Sequence, residues 1–387
     1  MAPMTSSQPM QLVAHPDRTR SDMCPGALKL HHAVDGAIGR IRFPGGRVRA
    51  EDWGHIARIS RELGDATVHI TTRGNMQFRG IEDEIAFAEH VEAVGFLPSR
   101  AHDKIRNILS SPLSPELWQL CQDLDAALLA NDTVAGLSGR TLFGFDDGSG
   151  DILSQRPDFG VQRQGDGYGL MLGGVDAGIH IEDEDHVVQA MLTAAEVWQR
   201  QRTSTWRLQE NAEARNLIAR ELKQQFSLGT AHQALKIHDG SARPIGWIQD
   251  GDTVALGAGL RFGFLSAQVA EMLSAIGADT AITPWASLVI HGLNEGDAEA
   301  VVKVLAPLGL IFDEDSPWLK VTACTGLPGC EKSMSHTQAD AHALVASGKA
   351  IDGLVHFSGC DRRCGHPLSA HTEYVATGDG EYEVAQR

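Results

Sequence analysis

Hydrophobic positions along the chain follow one order of elements, and they follow it twice. Ile56, Ile59 and Leu63 recur at helical spacing in 50–63, as do Val269, Met272, Leu273 and Ile276 in 266–276. Each stretch is preceded by an apolar strand that ends in glycine-rich turn residues, AIGRIRFP at 37–44 and ALGAGLRF at 255–262. Each is followed by a β-rich segment, 67–79 and 280–291, and then by a second helical stretch, 83–94 and 297–308. The pattern predicts a β-α-β-α unit used twice, which belongs to an α+β layer. The segment ITTRGNMQFRGI (70–81) aligns without gaps on ITPWASLVIHGL (282–293), pairing Ile70 with Ile282, Thr71 with Thr283 and Gly80 with Gly292. Chance similarity between two α+β patches does not account for this shared frame, so we read an internal duplication.

Each copy leads into a different segment. The expected division is a loose tail at 1–21, a first half-domain at 22–98, a larger unit at 99–235, a second half-domain at 236–312 and a cysteine-bearing unit at 313–387. Strands are expected near 142–145 and 168–172, and the helical run 185–225 reads as two helices. Residues 236–245 read as a linker. The tail MAPMTSSQPMQLVAHPDRTRS lacks the apolar core of a secretory signal.

Composition narrows the chemistry. A formal charge of −17 over 387 residues argues against nucleic acid and anionic membranes as partners, because phosphate recognition needs clustered Lys and Arg. No run of 18 apolar residues is present, so no membrane span and a cytoplasmic location are expected. In a reducing compartment, six cysteines point to metal or chemistry more than to disulfides. Cys324 and Cys330 lie in VTACTGLPGC, and Cys360 and Cys364 in HFSGCDRRCGHP. Four thiolates from two glycine-rich loops suit a 4Fe–4S cluster, one per iron. A structural zinc site is the rival, but its usual C-x2–4-C spacing fits the Cys324–Cys330 gap poorly. Unligated buried thiols are the bland alternative, and Cys24 and Cys121, which stand alone, are read that way.

The duplication together with this pairing resembles the siroheme-dependent sulfite and nitrite reductase superfamily over residues 24–375. In that superfamily two pseudo-symmetric halves embrace a tetrapyrrole and the second half carries the cluster; the first-half counterpart is read at Arg106-Asn107-Ile108-Leu109, which has no cysteine. Within it, Cys24-Pro25-Gly26, ITPW at 282–285, ACTGLPGC and GCDRRCGHP look most like the precorrin-3B synthase family. The expected fold is therefore α+β, with two ferredoxin-like half-domains and two larger α/β domains related by a pseudo-twofold axis.

The resemblance assigns Arg40, His69, Arg73, Arg106, Asn107 and Arg140 to the carboxylates of a macrocycle. Arginine suits such a ligand because it forks onto carboxylates and keeps its proton. The alternative is that these arginines form weak surface pairs, and Arg42 reads as structural. Sulfite reductases carry a K-x-K pair near their substrate; here Arg140 takes the first place and Leu142 the second. Ala286 stands just after ITPW, where the family pattern often has arginine, and this bears on substrate preference.

The resemblance further implies that precorrin-3A, O2 and an electron-donor protein are partners. It implies NAD(P)H as the indirect electron source and a second, non-haem iron. His69, His102, Asp103 and His366 lie near the motifs, but each reads more readily as a structural or substrate contact, and His366 as a support to the cluster. Two other functions stay open: a siroheme-dependent sulfite or nitrite reductase, and a non-catalytic iron–sulfur carrier or tetrapyrrole-binding scaffold.

Overall fold

The computed structural model describes residues 22–226, 233–238 and 243–387; the expected tail and part of the expected linker fall outside them. The first unit contains β1 (His31–Ala33), β2 (Gly36–Arg42), β3 (Arg47–Val48), α1 (Ala50–Leu63), β4 (Thr67–Ile70), β5 (Asn75–Ile81) and α2 (Glu84–Ala93). The second contains β6 (Ile108–Ser110), α3 (Trp118–Leu129), β7 (Phe143–Asp146), β8 (Phe159–Gln164), β9 (Gly167–Leu172), β10 (Val175–Ile181), α4 (Glu184–Gln201) and α5 (Ala212–Gln225). The third repeats the first with β11 (Gly246–Asp250), β12 (Thr253–Gly259), β13 (Phe264–Ser266), α6 (Ala267–Ile276), β14 (Thr280–Thr283), β15 (Ser287–Leu293) and α7 (Glu295–Leu305). The fourth contains β16 (Val321–Ala323), α8 (Thr337–Ala346), β17 (Leu354–Ser358), β18 (His371–Gly378) and β19 (Glu381–Gln386).

The helices start where short polar side chains take up free backbone N–H groups: Asp83 accepts from Ala86, Ser266 from Val269 and Asn294 from Asp297. The Asn294 cap starts α7 two residues before the expected 297. Each β-rich segment is a hairpin, not one strand, because a threonine closes a turn in its middle. Thr71 Oγ1 accepts from the Arg73 and Asn75 amides, and Thr283 Oγ1 accepts from the Trp285 amide. Arg73 and Trp285 therefore hold equivalent places. The next residues, Gly74 and Ala286, share the left-handed backbone, with φ of 58° and 54°.

The gap-free alignment of 70–81 on 282–293 holds in three dimensions. Ala37 pairs with Ile81 as Val254 pairs with Leu293, and Arg42 with Asn75 as Gly259 with Ser287. The same registers correct the alignment of 37–44 on 255–262: Ala37 corresponds to Val254, one residue earlier than the letters suggest. Both strands are rich in small residues and match in several frames, whereas strand pairing admits one.

The two repeats exchange strands. One sheet runs β1-β2-β5-β4-β13 and its counterpart runs β11-β12-β15-β14-β3, so each is completed by a strand of the other copy. Phe264 pairs with His69 on one side and Ala281 with Arg47 on the other. Beneath the sheets α1 packs on α6, and one apolar core runs through both copies, from Ile41, Trp53 and Phe78 to Leu256, Leu273 and Ile290. The chain crosses between copies so closely that a Cβ on Gly46 would lie 2.3 Å from the Ile282 carbonyl oxygen.

The two larger units are also related. β6-β7-β8 are parallel with β9 antiparallel, and β16-β17-β18 are parallel with β19 antiparallel. The Ser111 amide donates to Phe145 O at 3.0 Å, as the Cys324 amide donates to Phe357 O at 2.9 Å. Ser111 thus stands where Cys324 stands in the other unit. This moves the first-half counterpart of the cysteine loops from Arg106–Leu109 to Ser111 and the loop after β7. No described helix is long and apolar enough to cross a membrane.

Trp53 is fully buried, and its indole N–H donates to Thr280 Oγ1 of the other copy at 2.9 Å. Trp53→Ala is expected to cost about 3–5 kcal/mol, read as a lower urea midpoint. An unchanged midpoint would show that the two copies do not depend on this contact.

Candidate functional site

The strand exchange turns the ends of β2 and the β4–β5 hairpin toward the second unit. Arg40 on β2 donates from Nη2 to Gln77 Oε1 at 2.9 Å, across a strand pair that fixes both. Arg73 sits on the hairpin turn. From the second unit come Arg140, whose guanidinium lies 4.6 Å over the Trp206 ring, and Arg207, which pairs with Asp158 at 2.7 Å. The charges of the other three reach Arg73. Burial lowers the Arg73 pKa to about 10, with Arg207, Arg40 and Arg140 adding to the shift. Arg40 is also lowered, by burial first and by Arg140 in part.

Two acids answer them: Asp158 on Arg207, and Asp22, 3.8 Å from Arg140 and bonded to Ser138 and the Cys24 amide. The Nε atoms of Arg40 and Arg73 are buried without a hydrogen-bond partner. An unpaired buried polar group costs about 1–3 kcal/mol, more when charged. A patch that keeps like charges together and leaves donors unmet is complementary to a ligand with several carboxylates. His69 borders the patch, stacked on Phe264 at 4.5 Å between ring centroids. Burial lowers its pKa to about 4, assisted by Arg40 and Arg79, so it is neutral at pH 7. Sequence reasoning missed Arg207, Trp206, Gln77 and Asp22, which carry no motif and reach the patch only through folding.

Two of the expected ligand contacts are placed elsewhere. Arg106 is buried and forks onto Asp125 at 2.6 and 2.7 Å. Asn107 is buried; its amide donates to the Lys104, Gly139 and Thr141 carbonyls and its oxygen accepts from Asn75. Both brace the strand end instead of facing the arginine patch. Leu142 packs with Leu109, Ile152 and Trp285, so the second place of the K-x-K pair is an apolar core position. Arg42 donates to the Arg40 and Pro25 carbonyls, as its structural reading requires. His102 is bonded to Ser99 and Asn131 O, and Asp103 caps the Ala27 and Leu28 amides.

The four cysteines come from two loops that the parallel strands bring side by side. Cys324 follows β16 and Cys330 lies six residues on; Cys360 and Cys364 follow β17. Burial raises the Cys364 pKa first, and the charges of Cys324, Cys360 and Cys330 raise it further, so all three reach it. The Gly359 amide donates to Cys324 Sγ at 3.2 Å. A Cβ on Gly359 would lie 2.0 Å from Ser333 Oγ, so this amide approaches the sulfur only because the residue is glycine.

Four thiolates on one zinc ion would stand about 3.8 Å apart, from a Zn–S bond of about 2.3 Å. Among the described residues, the one group of three or more potential ligands with donor atoms all within 4.8 Å is Asp146, Asp147 and Asp151. Among the described residues, no three of the four sulfurs lie within 4.8 Å of one another. The acidic trio occupies the equivalent loop of the second unit. There the Asp147 amide donates to Ser111 Oγ at 3.1 Å, in the place of the Gly359–Cys324 bond.

Removing Arg106 separates bracing from binding. Arg106→Met leaves Asp125 without its partner and is expected to lower stability by about 3–5 kcal/mol, measured by urea unfolding. A variant of unchanged stability would return Arg106 to the list of ligand contacts.

Comparison with known proteins agrees with this architecture. The family described as Nitrite/Sulfite reductase ferredoxin-like half domain matches residues 33–86. A precorrin-3B synthase of Sinorhizobium sp is 24% identical, with 93% of this chain and 82% of that protein covered. A ferredoxin–nitrite reductase of Synechococcus elongatus is 36% identical over 81 residues, 20% of this chain and 16% of that protein. The solved structure of Mycobacterium tuberculosis NirA protein superposes with a TM-score of 0.72 at 18% identity, covering 90% of this chain and 73% of that one. With its duplicated half-domains and its exchanged strands, the chain has a nitrite and sulfite reductase-like architecture.

Proposed function

We propose that the chain is a precorrin-3B synthase, which uses O2 and electrons to convert precorrin-3A to the hydroxy-lactone precorrin-3B. The arginine patch is the observation that carries this reading: Arg40, Arg140 and Arg207 all act on Arg73, and the Nε atoms of Arg40 and Arg73 have no partner. Acetate and propionate arms of a precorrin match it in charge. The 24% identity to a precorrin-3B synthase along nearly the whole chain supports the same choice.

In this reading Arg40 and Arg73 bind carboxylates through their free donors, and Arg140 holds a further arm while its Trp206 contact fixes the guanidinium plane. Neutral His69 closes the border without adding a cation. Cys324, Cys330, Cys360 and Cys364 hold a 4Fe–4S cluster, which supplies electrons drawn from NAD(P)H through a donor protein. The Gly359 amide, bonded to Cys324 Sγ, stabilises negative charge on the thiolate. A second, non-haem iron would supply O2 activation.

The ferredoxin–nitrite reductase match gives a second reading, a siroheme-dependent sulfite or nitrite reductase. Leu142 bears against it, since an apolar core residue stands where such enzymes place a lysine.

Anaerobically purified protein given precorrin-3A, a reductant and O2 should yield a product heavier by one oxygen atom drawn from O2. Tightly bound siroheme with sulfite or nitrite reduction, and no such product, would overturn the proposal. Arg73→Ala is expected to weaken precorrin binding about 10- to 100-fold, the loss of about 1.5–3 kcal/mol of charge-assisted bonding, with the cluster's visible absorption unchanged. Equal affinity would remove Arg73 from the site.

A further inference from the structure

The hairpin tips of the two copies carry unlike residues. Arg40 pairs with Gln77 where Gly257 pairs with Val289, and Arg73 stands where Trp285 stands. The second copy thus gives up the polar set of the first and presents an indole. Both tips pack on one spot of the second unit. A Cβ on Gly74, next to Arg73, would lie 2.8 Å from Leu109 Cδ2 and 3.7 Å from Ile282 O. Trp285 packs against the cluster of Leu109, Leu142 and Ile152. Leu142 gives a second link. Its amide donates to Asp158 Oδ2 at 2.8 Å, the oxygen that also takes Arg207 Nε at 2.7 Å. Trp285 therefore borders the arginine patch, through Leu109 on the side of Arg73 and through Leu142 on the side of Arg207.

Leu109, Leu142 and Ile152 are 1%, 3% and 0% exposed, whereas Trp285 is only half-buried. The indole caps this cluster and keeps part of its own surface open. The tip that carries it is fixed. Thr283 Oγ1, bonded to Ser287 Oγ at 2.7 Å, accepts the Trp285 amide at 3.2 Å, and the Ala286 carbonyl accepts the Leu260 amide at 2.9 Å. Ala286 is held at φ 54°, a left-handed backbone that residues other than glycine seldom take. Such strain persists only where the surroundings over-determine it, and it clusters at binding sites.

A tetrapyrrole with carboxylate arms is charged at its rim and apolar across its ring. Arginines answer the rim, and the ring needs an apolar surface beside them. We propose that the open part of the Trp285 indole, backed by Leu109 and Leu142, receives the ring while Arg40 and Arg73 hold the arms. Trp285 is then a substrate-binding residue whose part the charges of the patch cannot take over. An aromatic wall adds affinity without adding charge, so its share of binding is insensitive to salt, unlike that of the arginines. This role rests on the tetrapyrrole reading of the patch, and neither on the cluster nor on O2 chemistry.

Anaerobic titration with precorrin-3A and no reductant, followed by the change in macrocycle absorption, reads this contact without turnover. Trp285→Ala should weaken binding about tenfold and leave its salt dependence unchanged, whereas Arg73→Ala should reduce both affinity and salt dependence. Trp285→Phe, which keeps a ring, should stay within about threefold of the parent protein. Trp285→Arg, which copies the first hairpin, should weaken binding although it adds a cation. If Trp285→Ala does not fold, Trp285→Leu decides, because leucine keeps the packing on Leu109 and Leu142 and presents no ring. Equal affinity in the Ala or Leu variant, or tighter binding by Trp285→Arg, would overturn the proposal. Affinity lost in Arg73→Ala but kept in Trp285→Ala sinks this contact alone. No binding of precorrin-3A by the parent protein sinks the proposed function with it.

Discussion

The exchange of strands between the two repeats is the constraint on which the rest of the molecule depends. β3 completes the sheet of the second copy and β13 completes the sheet of the first. Neither half-domain can close its sheet or its core alone, and Gly46 lies against the Ile282 backbone where the chain crosses. The exchange fixes the angle between the copies. That angle in turn sets the β4–β5 hairpin, with Arg73 at its tip, against Arg140 and Arg207 of the second unit.

Duplication also relates the two larger units. The second and fourth units share a parallel strand order and the same backbone bonds after their first strands. In one, Ser111 and three aspartates close the loop with side chain–backbone bonds: Asp146 alone accepts from the Gly148, Gly150, Ile152 and Leu153 amides. In the other, Cys324 and Gly359 hold the same positions as Ser111 and Asp147.

Much of this was legible in the sequence. The repeat, helix α1, the α4–α5 pair and the two cysteine loops all follow from apolar spacing and motif alone. The frame of 37–44 on 255–262 slipped by one residue, because glycine and alanine carry little identity and pairing partners are invisible in a single strand. Arg106 and Asn107 looked like ligand contacts from their neighbourhood, but their partners, Asp125 and Asn75, are 19 and 32 residues away. Arg207 was illegible for the same reason: its place depends on which strands and loops become neighbours. Short-range pattern reports the elements, whereas a site made of several elements needs the register.

Acid-labile sulfide in anaerobically purified protein tests the central claim, that four thiols from distant loops gather around an iron–sulfide cube, most directly. About four sulfides per chain, lost when any one of the four cysteines is replaced by serine, is the expected result. Protein that folds with zinc and no sulfide would contradict the account.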